Sequence, residues 1–199
     1  MNIIFFIKSA SVDISNYTIK DIPGTTGRFD VILRCVLAAL LDDNEFEKNI
    51  QIWIFLDKYG TFVFDSELMD YDNFPKNQLL LSKCFVHLIR KDNSKFDLNE
   101  NPLRSIKRSK LSLVEALNQY KELGYAMFVL EEKGDDFFKH VANIRLKKNV
   151  IFVIGNQSGE FLNSEDLLRL QVPVLSLGTR SYLASSIIRL IKIMLLKSI

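Results

Sequence analysis

Histidine, cysteine, proline and glycine are all scarce in this chain: two, two, four and eight among 199 residues. His87 and His140 have no Cys, His, Asp or Glu partner at ligand spacing, so no metal site is expected. Cys35 and Cys84 fall in helical patterns and are too few for a disulfide framework, which points to a reducing, cytoplasmic setting. No excess of one charge exists either. Lys plus Arg number 26 and Asp plus Glu 24, a formal charge of +2, so any surface for nucleic acid must be local. The phosphate-loop pattern is missing, and the first strand runs into KSASVDISN instead of a glycine-rich turn, which removes the usual nucleotide fingerprints. Long hydrophobic runs are missing too. MNIIFFIK reads as a strand and not a signal peptide, and Arg189, Lys192 and Lys197 interrupt SSIIRLIKIMLLKSI, which is too short to cross a membrane and reads as a buried helix with its charges along one edge.

What is present is a hydrophobic content of 48%, enough for one sizeable core. Strand patterns occur at Ile3–Ile7, Ile50–Leu56, Thr61–Phe64, Ala126–Leu130, Val150–Ile154 and Val172–Leu177. Helical patterns lie between them at Arg28–Leu41, Asn77–Arg90, Leu111–Leu123, Asp135–Ile144, Ser164–Leu170 and Leu183–Leu196. This alternation predicts an α/β sandwich around a largely parallel sheet, as a single domain over residues 1–199. The polar stretch Lys91–Lys110 reads as a surface loop, basic in its second half.

Three local patterns carry chemistry. DIPGTTGRFDVILRCV, at Asp21–Val36, sets Pro23, Gly24 and Gly27 before Arg28, Asp30 and Arg34, and Thr25 or Thr26 is positioned to cap the following helix. On an ideal helix Arg28 and Asp30 lie about 200° apart, so they meet only if the first turn is irregular. The cluster fits either a solvated helix start or a site for an anion or RNA phosphate. Gly155 and Gly159 follow one strand and Gly178 another, at carboxyl ends where open α/β sheets bind ligands and free backbone groups can read an adenine ring. The basic RSIKRSK run, with Lys107 and Arg108, is a solvated loop or, with Arg28 and Arg34, part of a basic wall for RNA.

DIPGTTGRFDVILRCV, then FDSEL at Phe64–Leu68, IKR at Ile106–Arg108, VIGNQSG and VLSLG together resemble the archaeal tRNA pseudouridine N1-methyltransferases that act on the T loop, members of the SPOUT class. The resemblance covers nearly the whole chain. It implies a deep trefoil knot, with knot and cofactor site in about residues 125–199, and a homodimer packed through that region. Ile187, Ile188, Ile191, Met194 and Leu195 of the C-terminal helix are the apolar residues expected in that contact. It implies S-adenosyl-L-methionine as cofactor, held by Leu130, Gly155, Gly159, Leu175, Ser176, Leu177, Gly178 and Leu183, and tRNA as partner, with methylation at pseudouridine 54. Arg28 and Asp30 are then expected at the methyl-transfer site, with Arg28, Arg34, Lys107 and Arg108 on the RNA. Asn156 and Gln157 stand where the family usually has an Asp-His pair, and LASSII replaces a segment with His, Asn and Cys. Two further readings therefore stay open: a ribosomal-RNA pseudouridine N1-methyltransferase, and a knotted RNA-binding protein without activity.

Overall fold

The apolar run NVIFVI belongs to a strand with a neighbour on each side and helices over both faces. In the computed structural model, which describes residues 1–90, 101–155, 170–178 and 180–197, it forms β6 (Asn149–Ile154), with every residue from Val150 onward buried. The elements before it are β1 (Asn2–Ser9), α1 (Ile22–Thr25), α2 (Phe29–Leu40), β2 (Ile50–Leu56), β3 (Gly60–Asp65), α3 (Gln78–Arg90), β4 (Lys107–Ser109), α4 (Leu113–Glu122), β5 (Ala126–Asp136) and α5 (Phe137–Arg145). After it come β7 (Val174–Ser176) and α6 (Ala184–Leu196). One seven-stranded sheet has the order β4-β3-β2-β1-β6-β5-β7. Strands β2, β1, β6, β5 and β7 are parallel, and β3 and β4 add an antiparallel edge.

Two apolar layers sandwich the sheet. One packs α2, α3, α5 and α6 against Ile3, Phe5, Ile52 and Phe152. Within it, Phe85 of α3 meets Phe29 of α2 at 5.3 Å and Phe62 and Phe64 of β3 at 5.1 and 5.2 Å, joining two helices to one strand through ring contacts. The opposite layer places Leu113, Ala116 and Leu117 of α4 on Ile4, Phe6, Trp53 and Ile151. Because side chains alternate along a strand, β1 supplies Ile3 and Phe5 to one layer and Ile4 and Phe6 to the other.

Several expectations change. Strand β5 continues past Leu130 to Asp136, because it pairs with β7 twice: Leu130 and Asp135 both lie opposite Leu175, with a register shift between them. The helix expected from Asp135 therefore begins at Phe137, with Asp136 as its cap, accepting from the Phe138 N–H at 3.0 Å. The second half of the expected polar loop contains β4, paired with β3. The expected helix at 164–170 lies almost wholly outside the described residues.

The C-terminal helix also departs from expectation. Lys192 is buried instead of lying on an edge: its Nζ donates to the carbonyl oxygens of Ala38 at 3.1 Å and Leu41 at 2.9 Å and sits 3.4 Å from Glu47. Ile188, Ile191 and Leu195 are buried against α2 and the sheet of their own subunit, with Ile187 and Met194 packed beside them. Of these five residues, three are thus buried within the subunit and Ile187 and Met194 are half-buried. The exposed apolar residues nearby are Tyr182, Leu183 and Ile193.

Candidate functional site

The glycines and threonines of DIPGTTG build a tight double turn. Asp21 caps the four-residue α1 by accepting from the Gly24 N–H at 3.0 Å, and a Cβ on Gly24 would stand only 2.3 Å from the same carboxylate. Contrary to the expectation from sequence, neither Thr25 nor Thr26 caps α2, whose N-cap is Arg28. Their hydroxyls donate back to the carbonyls of Asp21 and Ile22, both at 2.5 Å, because the chain has not yet turned toward α2. Gly27 has φ +56 and lies so close to the Ser11 carbonyl that an added Cβ would meet it at 1.9 Å. Arg28 follows in the left-handed conformation too, φ 69 and ψ 33, unusual for a residue with a long side chain.

That left-handed residue is the irregularity the pair requires. Arg28 is the N-cap of α2 instead of its first helical residue, and its Nε donates to Asp30 Oδ1 at 3.1 Å. From the other side, Arg34 Nη2 reaches Asp30 Oδ2 at 2.7 Å. The Asp30 side chain is 6% exposed, while those of Arg28 and Arg34 are 48% and 34% exposed. A carboxylate in the first turn of a helix is favoured by the dipole and two cations there are not, so Asp30 offsets the repulsion and fixes both guanidinium planes. The remaining N–H groups suit phosphate or carbonyl oxygens.

Topology ties this cluster to the loop after β1, the strand that pairs with β6. Strands β1 and β6 are neighbours, with Ile7 opposite Ile154, and their connections leave in opposite directions, β1 toward β2 and β6 toward β7. Such a switch point opens a crevice at the carboxyl ends of the strands. Gly155 follows Ile154 on one side of it. On the other, Ser11 donates its hydroxyl to the Gly27 carbonyl at 2.9 Å and the Asp13 N–H bonds the Thr26 carbonyl at 3.2 Å, tying the Arg28 turn to the loop after β1.

Of the residues expected to hold the cofactor, Leu130 lies on β5 and Leu175 and Ser176 on β7, Gly155 directly follows β6, and Leu183 is the N-cap of α6. Leu130 stands opposite both Ile154 and Leu175, so Leu130, Gly155 and the β7 end form one row. Leu130, Leu175 and Ser176 are buried, Leu177 is half-buried, and Gly178 and Leu183 are exposed. Ser176 Oγ accepts from the Gly178 N–H at 3.2 Å and lies 3.0 Å from the Glu132 carbonyl, which fixes the turn. Gly178, with φ +125, has nothing among the described residues nearer than Tyr182 Oη at 4.0 Å from where a Cβ would be, while its N–H and C=O are both bonded to Ser176 Oγ. Buried leucines beside strand-end backbone fit a ligand with an apolar body and hydrogen-bonding edges. Gly159 lies outside the described residues.

Lys107 and Arg108 are not brought together on one surface. They alternate along β4, and Arg108 turns to the α3 side, 5.0 Å over the Phe62 ring, with Nη2 donating to the carbonyls of Leu88 and Ile89 at 2.5 and 3.2 Å. Lys107 is exposed. A groove of about 430 Å3, lined by Phe74, Lys76, Leu80, Cys84 and Pro102 among others, opens at the start of α3 and includes none of the expected site residues. Cys35, inside α2, is sealed in the core, and burial pushes its thiol up to about 12, which disfavours the reactive thiolate. The sequence reading missed Ser11, Asp13 and Tyr59, which hold the Arg28 turn. Their signal was position alone, in the loops that follow β1 and β2.

A family model described as "Putative SAM-dependent RNA methyltransferase" matches residues 2–198. The tRNA (pseudouridine(54)-N(1))-methyltransferase of Thermococcus onnurineus is 25% identical over 189 residues, covering 91% of this chain and 90% of its own. Its namesake in Pyrococcus abyssi is 28% identical over 203 residues, 96% of each chain. The Methanococcoides burtonii protein of that name is 24% identical over 158 residues, 77% of this chain and 75% of its own. The crystal structure of Archaeoglobus fulgidus Nep1 bound to S-adenosylhomocysteine has the same fold, with TM-score 0.63 at 18% identity over 98% of this chain and 97% of that one.

Proposed function

The chain belongs to this family of S-adenosylmethionine-dependent RNA methyltransferases, and from that membership we propose that it methylates N1 of pseudouridine 54 in tRNA. The observation that carries the proposal is the Arg28–Asp30–Arg34 cluster, held in one defined geometry and tied to the loop after β1, the strand paired with β6. Leu130, Gly155, Gly159, Leu175, Ser176, Leu177, Gly178 and Leu183 are the residues proposed to hold the cofactor, which supplies an electrophilic methyl group. Leu130 and Leu175 give that site low polarity, and the backbone at Gly155 orients an adenine edge.

Arg28 and Arg34 grip the RNA and turn the target base toward the crevice. When bound, the cofactor would supply the methyl group to N1 of the base, and the N1 proton would pass to water. Both carboxylate oxygens of Asp30 are taken by guanidinium groups, so its part is to position the arginines. Lys107 extends the basic surface, while Arg108 is proposed to act mainly on the fold. Alignment of this kind supplies much of the rate in such a transfer.

The whole of residues 1–199 is proposed to act as one unit, with a trefoil knot in about 125–199. Supporting the knot, β5 grips β7 at two places around Leu175, where a Cβ on Gly134 would stand 2.6 Å from the Leu175 backbone. A homodimer is proposed through the exposed Tyr182, Leu183 and Ile193. No helix among the described residues is long and apolar enough to cross a membrane, which agrees with a proposed place in the cytoplasm. Incubating the protein with labelled cofactor and tRNA carrying pseudouridine 54, then identifying nucleosides by mass spectrometry, tests the reading. N1-methylpseudouridine at that position is expected. Methylation only of a ribosomal RNA, or of no RNA, would overturn it.

A further inference from the structure

A left-handed Arg28 persists only if its surroundings over-determine it. Those surroundings are the loop after β1, and that loop is fixed by the turn after β2. Tyr59 Oη donates to Asp13 Oδ1 at 3.0 Å and accepts from the Ile14 N–H at 2.9 Å. The Asp13 carboxylate also receives the Ser15 N–H at 3.0 Å and an ion pair from Lys58. Arg90 Nη2 closes the far side of the loop, donating to the Ile14 carbonyl at 2.6 Å. The same loop carries the two contacts to the Arg28 turn, Ser11 Oγ to the Gly27 carbonyl and Asp13 N–H to the Thr26 carbonyl. One phenolic oxygen therefore stands at the root of the chain of bonds that ends at Arg28.

We propose that Tyr59 is a positioning residue for methyl transfer, acting through Asp13 and the Thr26–Gly27 turn to fix the guanidinium of Arg28. The proposal rests on the RNA-methylating reading above. The ion pair with Lys58 is exposed and contributes little by itself, whereas Tyr59 is half-buried against the core and holds its hydroxyl in place. Its ring supplies the packing and its hydroxyl the register, so Tyr59→Phe separates the two.

In the full-length protein, Tyr59→Phe is expected to lower the single-turnover rate about tenfold at saturating tRNA and cofactor, while cofactor affinity stays within about twofold. In an Arg28→Ala background the same change is expected to cost less than about twofold further, because its route to the reaction is already cut. A wild-type rate in Tyr59→Phe would overturn the proposal. So would a full additional loss in the Arg28→Ala background, which would make the hydroxyl a general stabiliser. A second readout needs no RNA: the NMR resonance of the Arg28 Nε–H, bonded to Asp30, is expected to move in Tyr59→Phe. If the wild type methylates no RNA, the reading above fails and this resonance alone decides, an unmoved signal overturning the proposal. Should Tyr59→Phe not fold, Asp13→Asn is measured in the same ways, with the same expectations.

Discussion

At the N-terminal end of α2, Arg28 and Arg34 share the Asp30 carboxylate and keep a large part of their surface in solvent. At its C-terminal end, Lys192 spends its donors on the Ala38 and Leu41 carbonyls and on Glu47, with its side chain only 7% exposed. The last turn of a helix leaves carbonyls without partners and carries partial negative charge, so a cation there is stabilised on both counts. The same use recurs where Arg108 meets the end of α3 and where Arg145 donates to the Met194 and Lys197 carbonyls at the end of α6. At the N-terminal end the dipole opposes a cation such as Arg28, and Arg34, in the middle of α2, reaches back one turn to the same nearly buried carboxylate that holds Arg28. Position along a helix thus separates basic residues whose donors are committed to the fold from those with donors free for a ligand.

The strongest way to break this contrast is to empty the C-terminal end. Lys192→Ala leaves the Glu47 carboxylate and two carbonyls without their cation and is expected to lower unfolding stability by about 3 kcal/mol. Lys192→Met, which fills the space, should lose clearly less. Urea denaturation with equal slopes checks both: a Lys192→Met protein as stable as the wild type would show that the charge does nothing, and equal losses would show that the lost volume does nothing. Next comes Arg28→Ala, expected to slow single-turnover methylation about 100-fold, or about 2.7 kcal/mol of barrier, while stability shifts by less than about 1 kcal/mol. An unchanged rate at saturating tRNA would reduce Arg28 to a feature of the turn.

A smaller effect sharpens the contrast within β4. Arg108→Ala is expected to cost about 1 kcal/mol of stability through its lost carbonyl contacts, with little change in the salt dependence of tRNA binding, whereas Lys107→Ala should lower that salt slope by about one with stability unchanged. Binding isotherms at several salt concentrations, beside denaturation curves, distinguish them. The smallest effect is in pH. Burial holds the Lys192 ammonium below its usual pKa, against the pull of Glu47 and Asp42. Between that lowered value and 10.5 the unfolded chain binds more protons, so the stability of the wild type relative to Lys192→Met should rise with pH across that window. A flat or falling difference would contradict it.

Strands that are apolar on both faces were legible: Ile50–Leu56 matches β2 residue for residue, and Val150–Ile154 lacks only Asn149 of β6. Four-residue α1 and three-residue β4 were not, because neither is long enough to show a period and β4 is a basic edge strand. At the site, the glycines Gly155 and Gly178 just after β6 and β7 were readable from the sequence as strand-end turns. The meeting of Arg28 and Asp30 was readable only as a condition, since it depends on a positive φ that arginine does not advertise; Gly27 was the available sign. Lys192 gave no local sign at all, because its partners on and after α2 lie some 150 residues earlier.

Strand β1 is the middle of the sheet, and its partner β6 is a late part of the chain: Asn2 and Asn149, bonded through their side chains at 2.8 Å, are 147 residues apart. At ribosomal speeds of about 5–20 residues per second, β1 waits roughly 7–30 seconds for that partner. During this interval β2 can cover one edge of β1, while the other presents the unpaired backbone of Ile3–Ile7. The nascent chain therefore carries a sticky apolar edge through most of its own translation, and Ile3–Ile7 is the segment a ribosome-associated chaperone would shield.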